Sequence, residues 1–243
     1  MSEKRLTKSQ RKEEILKAAI PLFAQKGLGA TTKELACRAC VSEALLYKHF
    51  PSKAALFEEI KSSCCKKARE SGHIITALPS SSQVLIMAIY GLVRFVLYGA
   101  TGDETHNNTK RILAHGLLQD RQFIKNFFET NFEDFMPKLE DCMKVAIEAG
   151  EMIAPSENLK LSLWLSHHLC FGVSIIILNQ NEDLEVIDYG IDPQGLQIEI
   201  SKFIMRGLGL KQEIIEQYFM PEEFNLILEN PSTLLDSIKM ENS

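Results

Sequence analysis

The sequence has little of what marks a β-protein, a membrane protein or an enzyme. Alternating β-branched residues between turn signals are scarce, which disfavours a sheet. No run of about 18 uncharged apolar residues occurs, so no membrane-spanning helix is predicted. No Gly-rich nucleotide loop, nucleophile elbow or paired-carboxylate arrangement stands out, so we predict no catalytic residue, no enzyme activity and no cofactor.

The amino-terminal residues also lack the apolar stretch of a signal peptide. The six cysteines are therefore expected to be reduced thiols of a cytoplasmic protein. Hydrophobic residues make up 45% of the 243 residues, enough to bury a core. We expect a folded cytoplasmic protein without a membrane partner.

Charge is distributed unevenly along the chain. Residues 1–70 hold 15 Lys and Arg against 8 Asp and Glu, whereas the remainder holds 12 against 24. The first segment therefore carries +7 and the rest −12, although the net charge is only −5. A basic head on an acidic body is typical of a protein whose head binds a polyanion such as DNA.

Apolar residues recur at helical spacing almost throughout, so the predicted fold class is all-α. Pro21 is expected to kink or distort the first helix and Pro137 to bend or split another. The stretch ALPSSS at residues 77–82 is the clearest boundary between segments. The predicted helices cover residues 7–26, 32–39, 43–50, 53–71, 83–100, 109–118, 121–149, 156–178, 194–208, 212–219, 221–228 and 232–240.

The stretch TKELACRACVSEALLYKHF has the pattern of a helix-turn-helix motif. Leu35, Ala36 and Ala39 would face Leu46 and Phe50 across a turn at residues 40–41. The second helix then presents an outward set that suits the major groove of DNA. That set comprises Glu43, Ala44, Leu45, Tyr47, Lys48 and His49.

The longer stretch TTKELACRACVSEALLYKHFPSKAAL resembles the amino-terminal domain of the TetR family of bacterial regulators. The paired threonines, the Val41-Ser42 turn, Leu46-Tyr47, His49-Phe50 and Ser52-Lys53 all stand at the family's spacing. The resemblance implies that Thr32, Tyr47, His49 and Lys53 bind phosphates. It implies that the following residues lie near bases or backbone: Lys33, Ser42, Glu43, Ala44, Leu45 and Lys48.

Two positions depart from the family pattern. Cys40 stands where glycine is usual in a left-handed turn, at a cost of roughly 1 kcal/mol. Ala44-Leu45 replaces a common glycine or proline followed by threonine, so the base preference of a relative cannot be transferred.

We therefore predict a helix-turn-helix DNA-binding domain over residues 1–52 and a linking helix over 53–76. A helical bundle for ligand binding and dimerisation follows over 77–210, with a helical extension over 211–243. A hydrophobic or amphipathic small molecule is the expected effector class, because apolar bundles host ligands between helices. The candidate ligand residues are Met87, Tyr90, Phe128, Trp164, His168 and Phe171.

The resemblance further implies a homodimer in which two helices, 156–178 and 194–208, pair with their copies. Their apolar stripes form the candidate interface: Leu161, Leu165, Leu169, Gly172, Val173, Ile176, Phe203 and Ile204. The resulting hypothesis is a ligand-responsive regulator, a repressor that leaves a palindromic double-stranded operator when its effector binds.

Cysteine and histidine pairs leave an alternative open. Cys37 and Cys40 form a CxxC, which metal and redox sites also use. His167 and His168 beside Cys170 fit a pocket or an interface, but neighbouring helical residues point about 100° apart, which argues against a joint metal site. We predict no metal site. The alternative function is a small-molecule-binding or cysteine-based redox or metal sensor without specific DNA recognition.

Overall fold

The computed structural model describes residues 6–99, 104–178 and 187–229. Within these ranges the chain is helical, and the one bridge of β type pairs Met152 with Leu210. A single 3-10 turn, Gly27–Gly29, follows the first helix. The α-helices are α1 (Lys8–Lys26), α2 (Thr32–Arg38), α3 (Glu43–His49), α4 (Lys53–Ala77), α5 (Ser82–Tyr98), α6 (Glu104–Gln119), α7 (Arg121–Phe132), α8 (Phe135–Glu148), α9 (Leu159–Leu178), α10 (Pro193–Gly207), α11 (Gln212–Tyr218) and α12 (Pro221–Glu229).

Side-chain caps fix where the amino-terminal helices begin. Thr7 and Thr31 each form a capping box, in which the threonine hydroxyl accepts from the third backbone N–H of the helix. Ser42 and Ser81 accept in the same way from Leu45 and Val84. The predicted starts of these helices are confirmed to within a residue or two, and the all-α fold class is confirmed with them.

Prolines act differently at two positions. α1 runs through Pro21 without ending, so the ring is accommodated inside a helix that continues to Lys26. The predicted helix over 121–149 is instead two helices, α7 and α8. Pro137 lies in the first turn of α8, where backbone N–H groups have no helical acceptor and a missing donor costs little. The predicted helix over 232–240 lies outside the described residues.

The chain divides into two compact units, and this division differs from the predicted domain boundaries. The first unit comprises residues 6–68 and 104–130, and the second comprises 69–99, 131–178 and 187–229. Helices α6 and α7 therefore belong with the basic head rather than with the bundle predicted over 77–210. The linking helix α4 contributes to both units, because the division falls within it.

The first unit has its own apolar core. Phe23 of α1 stacks on Phe57 of α4 with ring centroids 4.8 Å apart. α1 also packs along α6, and Ile112 of α6 is fully buried. Gly116 lets α7 approach α6 closely, since a Cβ there would lie 2.6 Å from the Phe123 ring.

A buried lysine ties α4 to the start of α7 within this unit. The Lys61 ammonium donates to Asp120 and to Glu58 and lies over the rings of Phe57 and Phe123. Burial alone would lower the Lys61 pKa, but hydrogen bonds to the two carboxylates outweigh it and raise that pKa. Local sequence periodicity does not predict such long-range pairs. The sequence pattern alone therefore places α6 and α7 with the body.

The second unit is built around α5. This helix contacts α8, α9, α10, α11 and α12, and most of its side chains are buried. Helices α11 and α12, predicted as a separate extension from residue 211, pack against α5 instead. The ring of Tyr90 lies 5.8 Å from that of Phe219 and 5.7 Å from that of Phe224, so these two helices complete the core.

One helix, α9, is long and apolar enough to cross a membrane by length and composition, but only 28% of its apolar window is buried. The exposed large hydrophobic residues of this helix are Leu161, Leu165 and Leu169. Length and composition are shared by core and interface helices of proteins that enter no membrane, so this helix alone assigns no membrane location.

Gly209 occupies a position that no other residue fits. Its φ is +90°, and a Cβ would lie 2.0 Å from the carbonyl oxygen of Ile153. The two segments are held there by the hydrogen bond from Ile153 N–H to the Gly209 carbonyl at 2.9 Å. Gly150 also has positive φ, at +71°, but has open space where a Cβ would stand.

We predict that Gly209→Ala lowers the free energy of unfolding by about 2–4 kcal/mol, because backbone strain and a steric clash add. Gly150→Ala is the matched control and should cost only about 1 kcal/mol, from strain alone. Urea denaturation of both variants measures the difference. Equal losses would show that the contact with Ile153 does not constrain the structure.

Candidate nucleic-acid interface

The turn between α2 and α3 is a compact helix stop. The N–H of Val41 donates to the carbonyl of Ala36 at 3.0 Å, and the N–H of Cys40 donates to that of Cys37 at 3.1 Å. This pair of bonds is the Schellman pattern, with Cys40 at the left-handed position. Its φ is +52°, the only positive value among the described non-glycine residues. The left-handed turn predicted at Cys40 is therefore present.

The turn buries one side of α3 and exposes the other. Leu46 and Phe50 are 2% and 3% exposed and pack in the core that includes Leu35 and Ala36. The opposite side consists of exposed or half-buried residues: Ser42, Glu43, Ala44, Leu45, Tyr47, Lys48 and His49. The predicted outward set thus lies along one accessible helix, and Lys33 of α2 is accessible as well.

Two hydrogen bonds position candidate residues at the edges of this surface. The Thr32 hydroxyl donates to the Glu43 carboxylate at 2.8 Å and so joins the first turns of α2 and α3. The Lys53 ammonium donates to the Leu28 carbonyl at 2.6 Å. An ammonium has three donors, so Lys53 keeps two for another acceptor. The hydrogen bond from Thr32 restricts the orientation of the Glu43 side chain.

His49 lies in a basic environment. Burial lowers its pKa first, and the charges of Lys8, Lys48, Arg11 and Lys12 lower it further. The imidazole is therefore mostly neutral at pH 7 in the free protein. The same neighbours reveal that α1 adds three cations next to α3.

These three α1 cations, Lys8, Arg11 and Lys12, are not among the predicted site residues. The excess positive charge of residues 1–70 is the signal, but the helical pattern does not tell which basic residues approach α3. Lys12 is also anchored: it donates to Glu59 at 2.8 Å and lies over the Phe50 ring. Arg11 pairs with Glu14 on the same helix.

The candidate ligand residues fall into three places. Met87 and Tyr90 are buried on α5, and the Tyr90 hydroxyl donates to Asn225 at 3.1 Å. Trp164, His168 and Phe171 belong to an aromatic cluster on α9, in which the Trp164 ring lies 5.3 Å from that of Phe132 and stacks on His168. Phe128 belongs to the first unit, where its ring packs on Phe127.

The two neighbouring histidines of α9 differ in burial, although their rings lie 5.5 Å apart. His167 is buried, and burial followed by the charge of His168 lowers its pKa to about 4. His168 is exposed. The buried imidazole packs edge-on to Phe132 at 5.0 Å, a contact that the sequence does not reveal because its pattern leaves open which of the two histidines faces inward.

The candidate interface residues of α9 share an exposed stripe. Leu161, Leu165 and Leu169 are 51%, 61% and 38% exposed, and a Cβ added at Gly172 would have nothing within 4 Å. Val173 and Ile176 lie on the same helix and are half-buried. On α10, Phe203 is 64% exposed, whereas Ile204 is 3% exposed and packs in the core of its own chain. Ile204 is therefore not on the exposed face.

A metal centre finds no support in the described part of the chain, where no three His, Cys, Asp or Glu side chains come together as ligands. Cys37 and Cys40 are both exposed, and Cys142 and Cys170 are buried. The CxxC thus offers two thiols at the surface of the head.

The geometry defines a class: a helix-turn-helix protein whose basic amino-terminal unit is joined to an all-helical body. Residues 15–60 match the sequence profile described as bacterial regulatory proteins, tetR family. The match identifies the amino-terminal segment as similar to the DNA-binding domain of that family.

A curated relative and solved structures are similar to more of the chain, the solved structures in fold. The nucleoid occlusion factor SlmA of Salmonella paratyphi B is 26% identical over 185 residues, which cover 71% of this chain and 85% of SlmA. A TetR-like regulator from Rhodococcus sp. RHA1 superposes with a TM-score of 0.62 at 16% identity, covering 84% of this chain and 98% of that one. The ketosteroid regulator KstR2 of Mycobacterium tuberculosis superposes with a TM-score of 0.57 at 16% identity, covering 83% and 96%.

The His49 environment predicts a pH dependence of DNA binding. A phosphate beside the imidazole would raise its pKa above the lowered value of the free protein, so binding takes up a proton. Affinity should therefore rise as pH falls from 8 to 6, by up to about tenfold for each unit that DNA raises the pKa. His49→Gln should flatten this profile, and His168→Gln, an exposed histidine of the other unit, should not. A wild-type profile that is flat would contradict a phosphate at His49.

Proposed function

We propose that the protein is a homodimeric transcriptional regulator of the cytoplasm that binds a palindromic operator and releases it when a small apolar or amphipathic effector binds the body. The observation that carries this proposal is the accessible side of α3. Cations of α1 flank it, and the opposite side of α3 is buried in the core. It is a binding role, and it requires no catalytic residue.

DNA is the polyanion that this surface fits. Tyr47, Lys48 and Lys53 supply a phenol and two ammonium groups that bind phosphate oxygens, while Ser42 and Ala44 are small enough for close approach to base edges. We propose Thr32, Lys33, Glu43, Leu45 and His49 as further contacts, together with Lys8, Arg11 and Lys12. The acidic body, with −12 beyond residue 70, would repel the same phosphates and keep contact confined to the head.

The exposed stripe of α9 supports dimerisation. Three leucines and Phe203 expose large apolar surfaces that a partner copy would cover, and Gly172 would allow its backbone to approach. Val173 and Ile176 would lie at the margin. Pairing the same face of two copies is the isologous arrangement of twofold dimers, and it supplies the two heads that a palindrome needs.

The body offers polar groups within an apolar setting, as an effector site requires. Asn225 accepts from both the Tyr90 hydroxyl and the Arg94 guanidinium, at 3.1 and 3.3 Å. We propose an effector with an apolar frame and one polar group. Its polar group would replace one of these hydrogen bonds near Met87, or its apolar frame would contact the aromatic cluster of Trp164, His168 and Phe171. Release of DNA then requires that the effector bind the DNA-incompetent state more tightly, since equal affinity shifts nothing.

The DNA surface is tested by two substitutions. Tyr47→Phe and Lys53→Ala should each weaken binding to all duplex sequences, and Lys53→Ala should reduce the slope of log affinity against log salt by about 1. Lys125→Ala is the control, because that exposed lysine of the same unit pairs with Glu129 on α7. The measurement is fluorescence anisotropy across a salt series. Wild-type affinity in both variants would refute the assignment.

The dimer is tested by a charge in the stripe. Leu165→Glu places a carboxylate where an apolar partner surface is proposed, and burying it unpaired opposes association. Analytical ultracentrifugation should show monomers, and Gly172→Glu should do the same. Leu118→Glu is the matched control, since Leu118 is 85% exposed and lies outside the stripe. Dimers that persist in both stripe variants would rule out this face.

A further inference from the structure

The CxxC of the head has no role in the proposed DNA contacts. Cys37 lies in the last turn of α2, and Cys40 lies in the turn that precedes α3. Both side chains are exposed, so neither thiol is used for core packing. A metal would need further ligands, and the described part of the chain brings no third candidate to this pair.

The backbone of the turn brings the Cα atoms of the two cysteines close together. The N–H of Cys40 donates to the carbonyl of Cys37 at 3.1 Å, which closes a four-residue turn. The Cα atoms across such a turn lie less than about 7 Å apart. Disulfides join Cα atoms about 4.4–6.8 Å apart, so the backbone already meets the first geometric requirement.

Cys40 also adopts a backbone conformation that is unfavourable for a residue with a Cβ, at φ +52°. The two backbone hydrogen bonds of the turn hold this conformation, and the exposed side chain adds no core packing. Any bond that pulls on the Cys40 Sγ acts directly on this turn, and Ser42, the cap of α3, follows two residues later.

We propose that Cys37 and Cys40 are a reversible disulfide site and that closing it moves α3 and weakens DNA binding; the second half rests on the proposed function. The oxidant is a low-molecular-weight disulfide. One cysteine attacks it and expels a thiol, and the other cysteine attacks the mixed disulfide and expels the second thiol. The two electrons and two protons of the cysteines end on the two thiols released.

The consequence for DNA follows from the turn. A ring through both sulfurs constrains the dihedral angles of Cys40, and these set the direction in which α3 leaves α2. The Thr32 to Glu43 hydrogen bond, which joins the first turns of the two helices, would have to adjust. The groove-facing side chains of α3 then no longer match the spacing set by the phosphate contacts of α1 and Lys53.

A peptide map tests the site directly, because Arg38 lies between the two cysteines. Trypsin cuts after Lys33, Arg38 and Lys48 and yields peptides 34–38 and 39–48. After treatment of the full chain with oxidised glutathione, these two peptides should appear as one covalently joined species by mass spectrometry. Dithiothreitol should separate them. Separate peptides, or glutathione adducts without the joined species, would overturn the site.

The same oxidised samples test the effect on DNA. Wild-type affinity for duplex DNA should fall by about tenfold or more and return with dithiothreitol. Cys37→Ser combined with Cys40→Gly, which keeps a left-handed turn, should bind DNA and ignore oxidised glutathione. Cys64→Ser combined with Cys65→Ser is the control and should respond like the wild type.

The outcomes separate the two claims. Joined peptides with unchanged affinity would overturn the regulatory effect, and so would equal sensitivity of the Cys37→Ser, Cys40→Gly variant. Reduced protein that binds no duplex would refute the proposed function, and the peptide map would still decide whether the disulfide site exists.

Discussion

The turn at residues 39–41 sets what the amino-terminal unit presents to its surroundings. Two backbone hydrogen bonds end α2 there and start α3 at a fixed angle, with Cys40 left-handed between them. With that angle fixed, Leu46 and Phe50 lie in the core, whereas Tyr47 and Lys48 face away from it. The accessible surface of α3 is thus a consequence of backbone geometry, and side chains only decide what that surface binds.

Residues outside the helix-turn-helix add positive charge next to α3. Burial and then the nearby cations, three of them on α1, lower the pKa of His49, so part of the positive charge beside α3 comes from outside the motif. Lys61, buried between two carboxylates and two aromatic rings, fastens α4 to the α6–α7 segment of the same unit.

Local signals in the sequence predict where each early helix starts, because a threonine or serine cap precedes it. The resemblance to a known family locates the helix-turn-helix motif. The site residues around α3 follow from the same stretch. Partnerships between distant segments could not be predicted: the Lys61–Asp120 pair, the packing of Tyr90 on Phe219 and Phe224, and the burial of Ile204 all depend on which helices meet. Helical periodicity predicts that one face of a helix is buried, but it does not identify the helix against which that face packs.

The central claim is that two heads of one dimer read one palindromic operator. Selection of bound duplexes by the full-length protein from a random DNA pool tests it most directly. We expect an inverted repeat whose half-sites lie one helical turn apart or a multiple of it, about 34–36 Å per turn. Bound sequences without a consensus, or with a single unrepeated half-site, would contradict it.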